Sequence, residues 1–175
     1  LTLDVVAALG ASGLPARRLE LEITEAVMLQ DTETTMAMLN ELKAQREAFP
    51  VAELVQDVVQ KFQLAAGKRG LELSSRLAVQ HAQVHADIGM IESVLENLIE
   101  NAMRHTVSGG VIQVEVLSLD SARLVVRVAD TGRGIPSDEL PGIFDRYYRV
   151  NRGEASDAGS TGLGLAITRH IVELH

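Results

Sequence analysis

Two stretches of strict alternation limit this chain more than anything else in it. Ile112, Val114 and Val116 recur at every second position, and Leu124, Val126 and Val128 repeat the pattern a few residues on. A period of two describes a strand with one face buried, and Asp120-Ser121-Ala122 between the stretches predicts a hairpin. A sheet with one apolar face has to be covered, and the longest helical pattern supplies a cover. From about Asp87 to Thr106 the residues Ile91, Val94, Leu95, Leu98, Ile99 and Ala102 share one face, while Asn97, Asn101 and Arg104 fall close together on another.

The remaining elements follow from punctuation and period. Leu54, Val55, Val58, Val59 and Phe62 form an apolar helical stripe after the boundary at Pro50, stopped by Gly67 and Gly70 before a strand near 71–77. A short helix is expected around 138–148, a polar glycine-containing loop over 151–160, and a last helix over about 163–174. Upstream, a short helix over 3–9, a strand over 19–24 and a helix capped by Asp31 are expected, the last with Met36, Leu39 and Leu42 at helical spacing.

Composition excludes several classes of function. The 175 residues leave room for one ordinary domain and a small appendage. Without cysteine there are no disulfides, thiolate metal sites or thiol nucleophiles. With 24 acidic and 16 basic residues the net charge of −8 disfavours a nucleic-acid or anionic membrane surface, and 3% aromatic residues are too few for a base-stacking platform. Any polyanionic ligand must therefore be held locally. No apolar run has transmembrane length and no basic leader opens the chain, so a cytoplasmic location is expected.

Three groups of residues could hold such a ligand. Asn97 and Asn101 lie one helical turn apart beside Arg104 and His105; amides are mediocre helix formers, an amide oxygen suits Mg²⁺, and an arginine suits phosphate. The alternative is a solvated helix face. Asp130 ends a strand and opens Asp130-Thr131-Gly132-Arg133-Gly134, where a carboxylate can accept from an adenine amine and glycines admit the ring close to backbone. The same pattern also makes an ordinary turn. Gly159-Ser160-Thr161-Gly162-Leu163-Gly164-Leu165 precedes a helix, whose free N–H groups and dipole favour phosphate oxygens, although a flexible linker has the same composition.

The order of these groups carries a resemblance. "ENLIENAMRHT" (Glu96 to Thr106) looks like an N box, "DTGRGI" (Asp130 to Ile135) a G1 box, "IFDRYYRV" (Ile143 to Val150) an F box and "GSTGLGLAI" (Gly159 to Ile167) a G2 box. Together they resemble the catalytic and ATP-binding domain of sensor histidine kinases, in the gyrase, Hsp90, histidine kinase and MutL superfamily. The resemblance runs from about Phe49 to the end and includes "VAELVQDVVQKFQLAAGKRGLEL" as the opening helix and strand. It implies an α/β two-layer sandwich (α+β), with a mixed sheet covered on one face by helices, over residues 47–175. It implies ATP and Mg²⁺ as ligands, with Asn101 on the metal, Asn97 as its companion, and Arg104 and His105 beside the nucleotide. Asp130 would read adenine in a pocket shaped by Gly132 and Gly134. Gly162, Leu163 and Gly164 would cradle phosphates below a lid over 151–161, and Arg146 or Arg149 would reach the terminal phosphate. The implied chemistry is transfer of the γ-phosphoryl group to a histidine on a separate dimerisation hairpin, which in a full system then serves a response regulator.

Two departures from the family pattern shape the expectations. Nothing resembles the family's acceptor motif His-Glu-Leu-Arg-Thr-Pro-Leu, so autophosphorylation by these residues alone is not expected. The family continues past "IVELH" with two glycines and a pair of strands, so an exposed sheet edge is expected, through which a homo-oligomer could form. "GLPARRLELEITEAVMLQDTETTMAMLNELKA" (Gly13 to Ala44) resembles an internal stretch of EAL-type cyclic-di-GMP phosphodiesterases, mapping Glu22 and Glu25 onto that family's Glu-Ile-Thr-Glu acids. One strand and one helix cannot close a barrel, so residues 1–46 are read as an inactive fragment of a chimera, its strand 19–24 a candidate to pair with the exposed edge. The rival functions are an ATP-hydrolysing member of the superfamily, disfavoured because Asn97 stands where those enzymes carry a glutamate, and a non-catalytic module that keeps the fold.

Overall fold

The computed structural model describes residues 46–118, 120, 123–148 and 162–175, all within the unit Arg46–His175. The helix and strand expected over 3–24, the helix after Asp31 and the loop over 151–160 lie outside the described residues, as do Glu22, Glu25, the fragment they belong to and any pairing of its strand.

The element order is β1 (Glu47–Pro50), α1 (Val51–Lys68), β2 (Glu72–Leu77), β3 (Gln83–Ala86), α2 (Ile88–His105), β4 (Val111–Ser118), β5 (Leu124–Asp130), a 3₁₀ turn (Leu140–Gly142) and α3 (Gly164–Leu174). The alternating segments are β4 and β5, which pair antiparallel with Val114 opposite Val128 and Val116 opposite Val126. On the other side β4 runs parallel to β2, so the sheet order is β2-β4-β5 and the sheet is mixed. Ile112, Val114 and Val116 are fully buried against Val55, Val58, Leu95 and Ile99, the inward faces of α1 and α2. This is the α+β layering expected, with helices on one face of a mixed sheet. Truncating Ile99 to alanine at the centre of that layer would cost about 2–5 kcal/mol, because the rigid surroundings could not close on the void.

The opposite sheet face is mixed: Gln113, Glu115 and Arg127 share it with Leu117, Val125 and Ala129. Glu115 lies between two arginines on neighbouring strands, in register with Arg76 on β2 and Arg127 on β5. Its carboxylate is 3.7 Å from Arg76 Nη1 and 3.2 Å from Arg127 Nη1, and the residue is only 7% exposed. α2 begins where Asp87 caps it, accepting from the Met90 N–H at 3.0 Å. Lys61 of α1 bonds Glu96 and lies 3.5 Å from Glu92, joining the two helices at the surface; the neighbouring carboxylates, Glu96 first, raise its pKa.

Two features differ from expectation. β1 and β3 form a separate two-stranded antiparallel sheet, Glu47 opposite Ala86 and Pro50 opposite Gln83. Each has four residues, too few for a periodic signal, and the pairing spans a whole helix and strand. The helix expected over 138–148 is a single 3₁₀ turn. Pro141 and Gly142 interrupt it, and Leu140, Phe144 and Tyr147 are exposed, so there is no buried apolar stripe to hold a longer helix. Among the described residues no helix is long and apolar enough to cross a membrane.

Candidate nucleotide site

The turn after β5 is pinned first to the sheet and then to α2. Thr131 N–H donates to the Val111 carbonyl at 3.0 Å, and Thr131 Oγ1 accepts from the Val111 N–H at 2.9 Å. Asp130 Oδ1 accepts from the Gly132 N–H at 2.8 Å, which tightens the turn. A Cβ on Gly132 would stand 2.4 Å from the His105 carbonyl oxygen, so only glycine lets this turn reach the end of α2. Arg133 follows, its N–H 3.3 Å from the same carbonyl and its Nη2 3.1 Å from His105 Nδ1. Gly134 has φ +65°, so its requirement is conformational.

The second glycine segment meets α2 further back. A Cβ on Gly164 would lie 3.3 Å from Asn97 Oδ1, so the first residue of α3 abuts the amide that sequence reasoning singled out. Among the described residues no side chain caps the first turn of α3, and Leu163, at its N-cap, is 4% exposed. Gly162 has φ +71° and its carbonyl accepts from the Tyr147 N–H at 3.0 Å; a Cβ there would be 2.7 Å from the Tyr148 carbonyl oxygen. Tyr147 itself has φ 63°, a left-handed conformation that costs a bulky residue about 1–3 kcal/mol. Tyr148 packs its ring over Gly142 and donates its hydroxyl to Glu139 Oε2 at 3.4 Å; burial and the Glu139 carboxylate hold this phenol above its ordinary pKa.

Of the residues predicted to line a site, Asn97, Asn101 and His105 are half-buried along α2 and Arg104 is exposed at its end. The structure brings Gly132 to His105 and Gly164 to Asn97. Arg146 is exposed beside Tyr147 with no described contact to α2, and Arg149 lies outside the described residues. Sequence reasoning gave no role to Thr131, Arg133 or Tyr147. Thr131 and Arg133 lie within the glycine motif but carry no periodic signal, and the left-handed backbone of Tyr147 has no residue-type signature. A shallow depression of about 240 Å³ lined by Gln56, Val59, Gln60, Gln63 and Ser75 lies between α1 and β2 and contains none of the predicted residues. Among the described residues no group of three His, Asp or Glu could hold a metal ion. An ion shared with phosphates needs only one or two protein oxygens, and the half-buried amide of Asn101 fits that role.

The layered sheet, the glycine turns against α2 and the order of the boxes define an ATPase-type nucleotide domain. A sequence profile of the histidine kinase-, DNA gyrase B-, and HSP90-like ATPases matches residues 86–175, and the chain belongs to this family. Within the family it has the form of a sensor histidine kinase catalytic domain. It is 35% identical over 123 residues to the sensor histidine kinase RppB of Synechocystis sp., covering 70% of this chain and 27% of that protein. It is 29% identical over 158 residues to the adaptive-response sensory kinase SasA of Synechococcus sp., covering 90% of this chain and 41% of that protein. The chain thus spans less than half of either relative. The nucleotide-free catalytic domain of the histidine kinase ThkA superposes with a TM-score of 0.65 at 27% identity, covering 74% of this chain and 80% of that one.

Proposed function

We propose that this chain binds ATP with Mg²⁺ and presents the γ-phosphoryl group to a histidine on a separate helical hairpin, the phosphate passing onward to a response regulator. One observation carries the reading: the two glycine segments abut the same helix at Asn97 and His105. Those positions are separated by eight residues (105 − 97), roughly 12 Å along a helix, a span suited to one extended nucleotide. Asp130 would accept from the adenine amine at one end. The N-terminus of α3 would hold phosphate oxygens at the other, with Arg104 adding charge. Mg²⁺ bound through the Asn101 amide oxygen would neutralise developing charge on the phosphates. The protein's contribution is to position and to stabilise charge, which suits a site with no nucleophile of its own.

Titration calorimetry with a non-hydrolysable ATP analogue, with and without Mg²⁺, tests the binding. Saturable heat that depends on Mg²⁺ is expected, lost in Asn101→Ala, while Asp130→Asn should lose preference for adenine over guanine nucleotides. No saturable heat would make the chain a non-catalytic module. Labelled ATP with a cognate hairpin then separates transfer to histidine from release of phosphate into water.

A further inference from the structure

α3 meets α2 at both of its ends. At its start a Cβ on Gly164 would lie 3.3 Å from Asn97 Oδ1, and at its close the Asp87 N–H donates to His175 Nε2 at 3.2 Å. The contacts stand ten residues apart along α2 (97 − 87) and eleven along α3 (175 − 164), so the two helices run antiparallel side by side for roughly 15 Å. Met90 and Val94 of α2 and Ile171 of α3 fall between those contacts and are buried outside the main core layer. α3 is thus a short rod seated at two points, one of them at the candidate phosphate site.

The first N–H groups of a helix lack partners within it, and a capping box serves two of them at once. Asp87 supplies one half, accepting from the Met90 N–H at 3.0 Å. The other half, an acceptor for the cap residue's own N–H, ordinarily comes from a glutamate or glutamine three residues on; that place is held by Met90, whose side chain has no oxygen. His175 fills it from the end of another helix. Its Nε2 accepts from the Asp87 N–H and therefore carries no proton, while Nδ1 lies 2.8 Å from the Ile171 carbonyl oxygen and therefore carries one. Both contacts fit the neutral Nδ1–H imidazole and no other form. The guanidinium of Arg46 donates to the neighbouring Leu174 carbonyl, so the last turn of α3 is served by two side chains. We propose that His175 is a positioning residue for the nucleotide site: it completes the N-terminal cap of α2 from the last turn of α3, and so fixes where the first turn of α3 stands against Asn97. Its effect on a bound nucleotide rests on the ATP-binding reading above. The seating of α3 does not.

Two measurements on the ligand-free protein test the seating. Imidazole ¹⁵N spectra, recorded where the ring is neutral, should show His175 chiefly as Nδ1–H; a ring protonated chiefly on Nε2 overturns the inference. Amide hydrogen exchange at Asp87 should quicken about ten-fold in His175→Ala, with the β4 amides of Ile112 and Val114 unchanged, and His175→Gln, which keeps an oxygen able to accept from that N–H, should restore most of the protection. Exchange at Asp87 that ignores His175→Ala overturns it as well. Should His175→Ala lose the β4 protection too, the ring spectrum and His175→Gln decide: Asp87 exchanging freely in a folded glutamine variant overturns the cap, and wild-type protection there supports it. Calorimetry with the ATP analogue tests the reach to the other end of α3. Binding should weaken about five-fold in His175→Ala, the scale of one hydrogen bond, and recover in His175→Gln. Equal losses in the two variants, or none in His175→Ala, overturn the positioning role. If wild type binds no nucleotide, the ATP-binding reading fails while the ring spectra and amide exchange still decide how α3 is seated.

Discussion

The two glycine segments that meet α2 are built on opposite principles. The turn after β5 is held by main-chain and side-chain bonds from three directions: Thr131 to Val111, Gly132 to Asp130, and Arg133 to His105. At the segment entering α3 the described residues meet through the Tyr147 N–H and the Gly162 carbonyl, and both of these residues are in left-handed conformation. Among the described residues the left-handed strain is therefore concentrated at the second segment, while the first is fixed by hydrogen bonds to the sheet and to α2.

Substitutions can break this contrast. The largest effect is expected at Gly132→Ala, whose Cβ would fall 2.4 Å from a helix carbonyl and have to push the turn off α2. Nucleotide binding should vanish, with a stability loss of about 1–3 kcal/mol read from urea unfolding. Gly162→Ala should come next: alanine at φ +71° costs about 1–2 kcal/mol, and the cost should fall on nucleotide affinity more than on the unfolding midpoint, since Gly162 leads into the N-terminus of α3 rather than into the buried layer. An equal fall in both would erase the distinction between the two ends. Thr131→Val should be mildest, about 1 kcal/mol, because it removes one acceptor from the Val111 N–H while the Thr131 main-chain bond remains. Hydrogen exchange at Val111 should quicken.

The same contrast explains what the sequence disclosed. The pinned end was readable because β4, β5 and α2 are long and periodic, and because Asp130 and Gly132 belong to a motif whose neighbours follow in order. Asn97 and Gly164 could be named as candidates for the same reason, but their mutual approach could not, since no local pattern encodes how α3 docks on α2. β1 and β3 were invisible because Phe49 and Ala86 are buried by pairing between four-residue segments separated by α1 and β2. The helix expected after Asp138 did not form beyond one turn because Pro141 and Gly142 interrupt it and Leu140, Phe144 and Tyr147 face outward, leaving no apolar stripe to bury. The Arg133 contact depends on a side chain meeting a helix end from another element, and such a meeting leaves no trace in spacing.

The Glu115 triplet, on the sheet face turned away from α1 and α2, has a consequence for how the strands find their places. Slipping β5 by one residue against β4 would turn Arg127 toward Val114 and Val116 and strand Glu115 with one cation fewer. The carboxylate and its two flanking guanidinium groups therefore act as a zip that closes only in one alignment, because misalignment would leave a nearly buried carboxylate short of a partner.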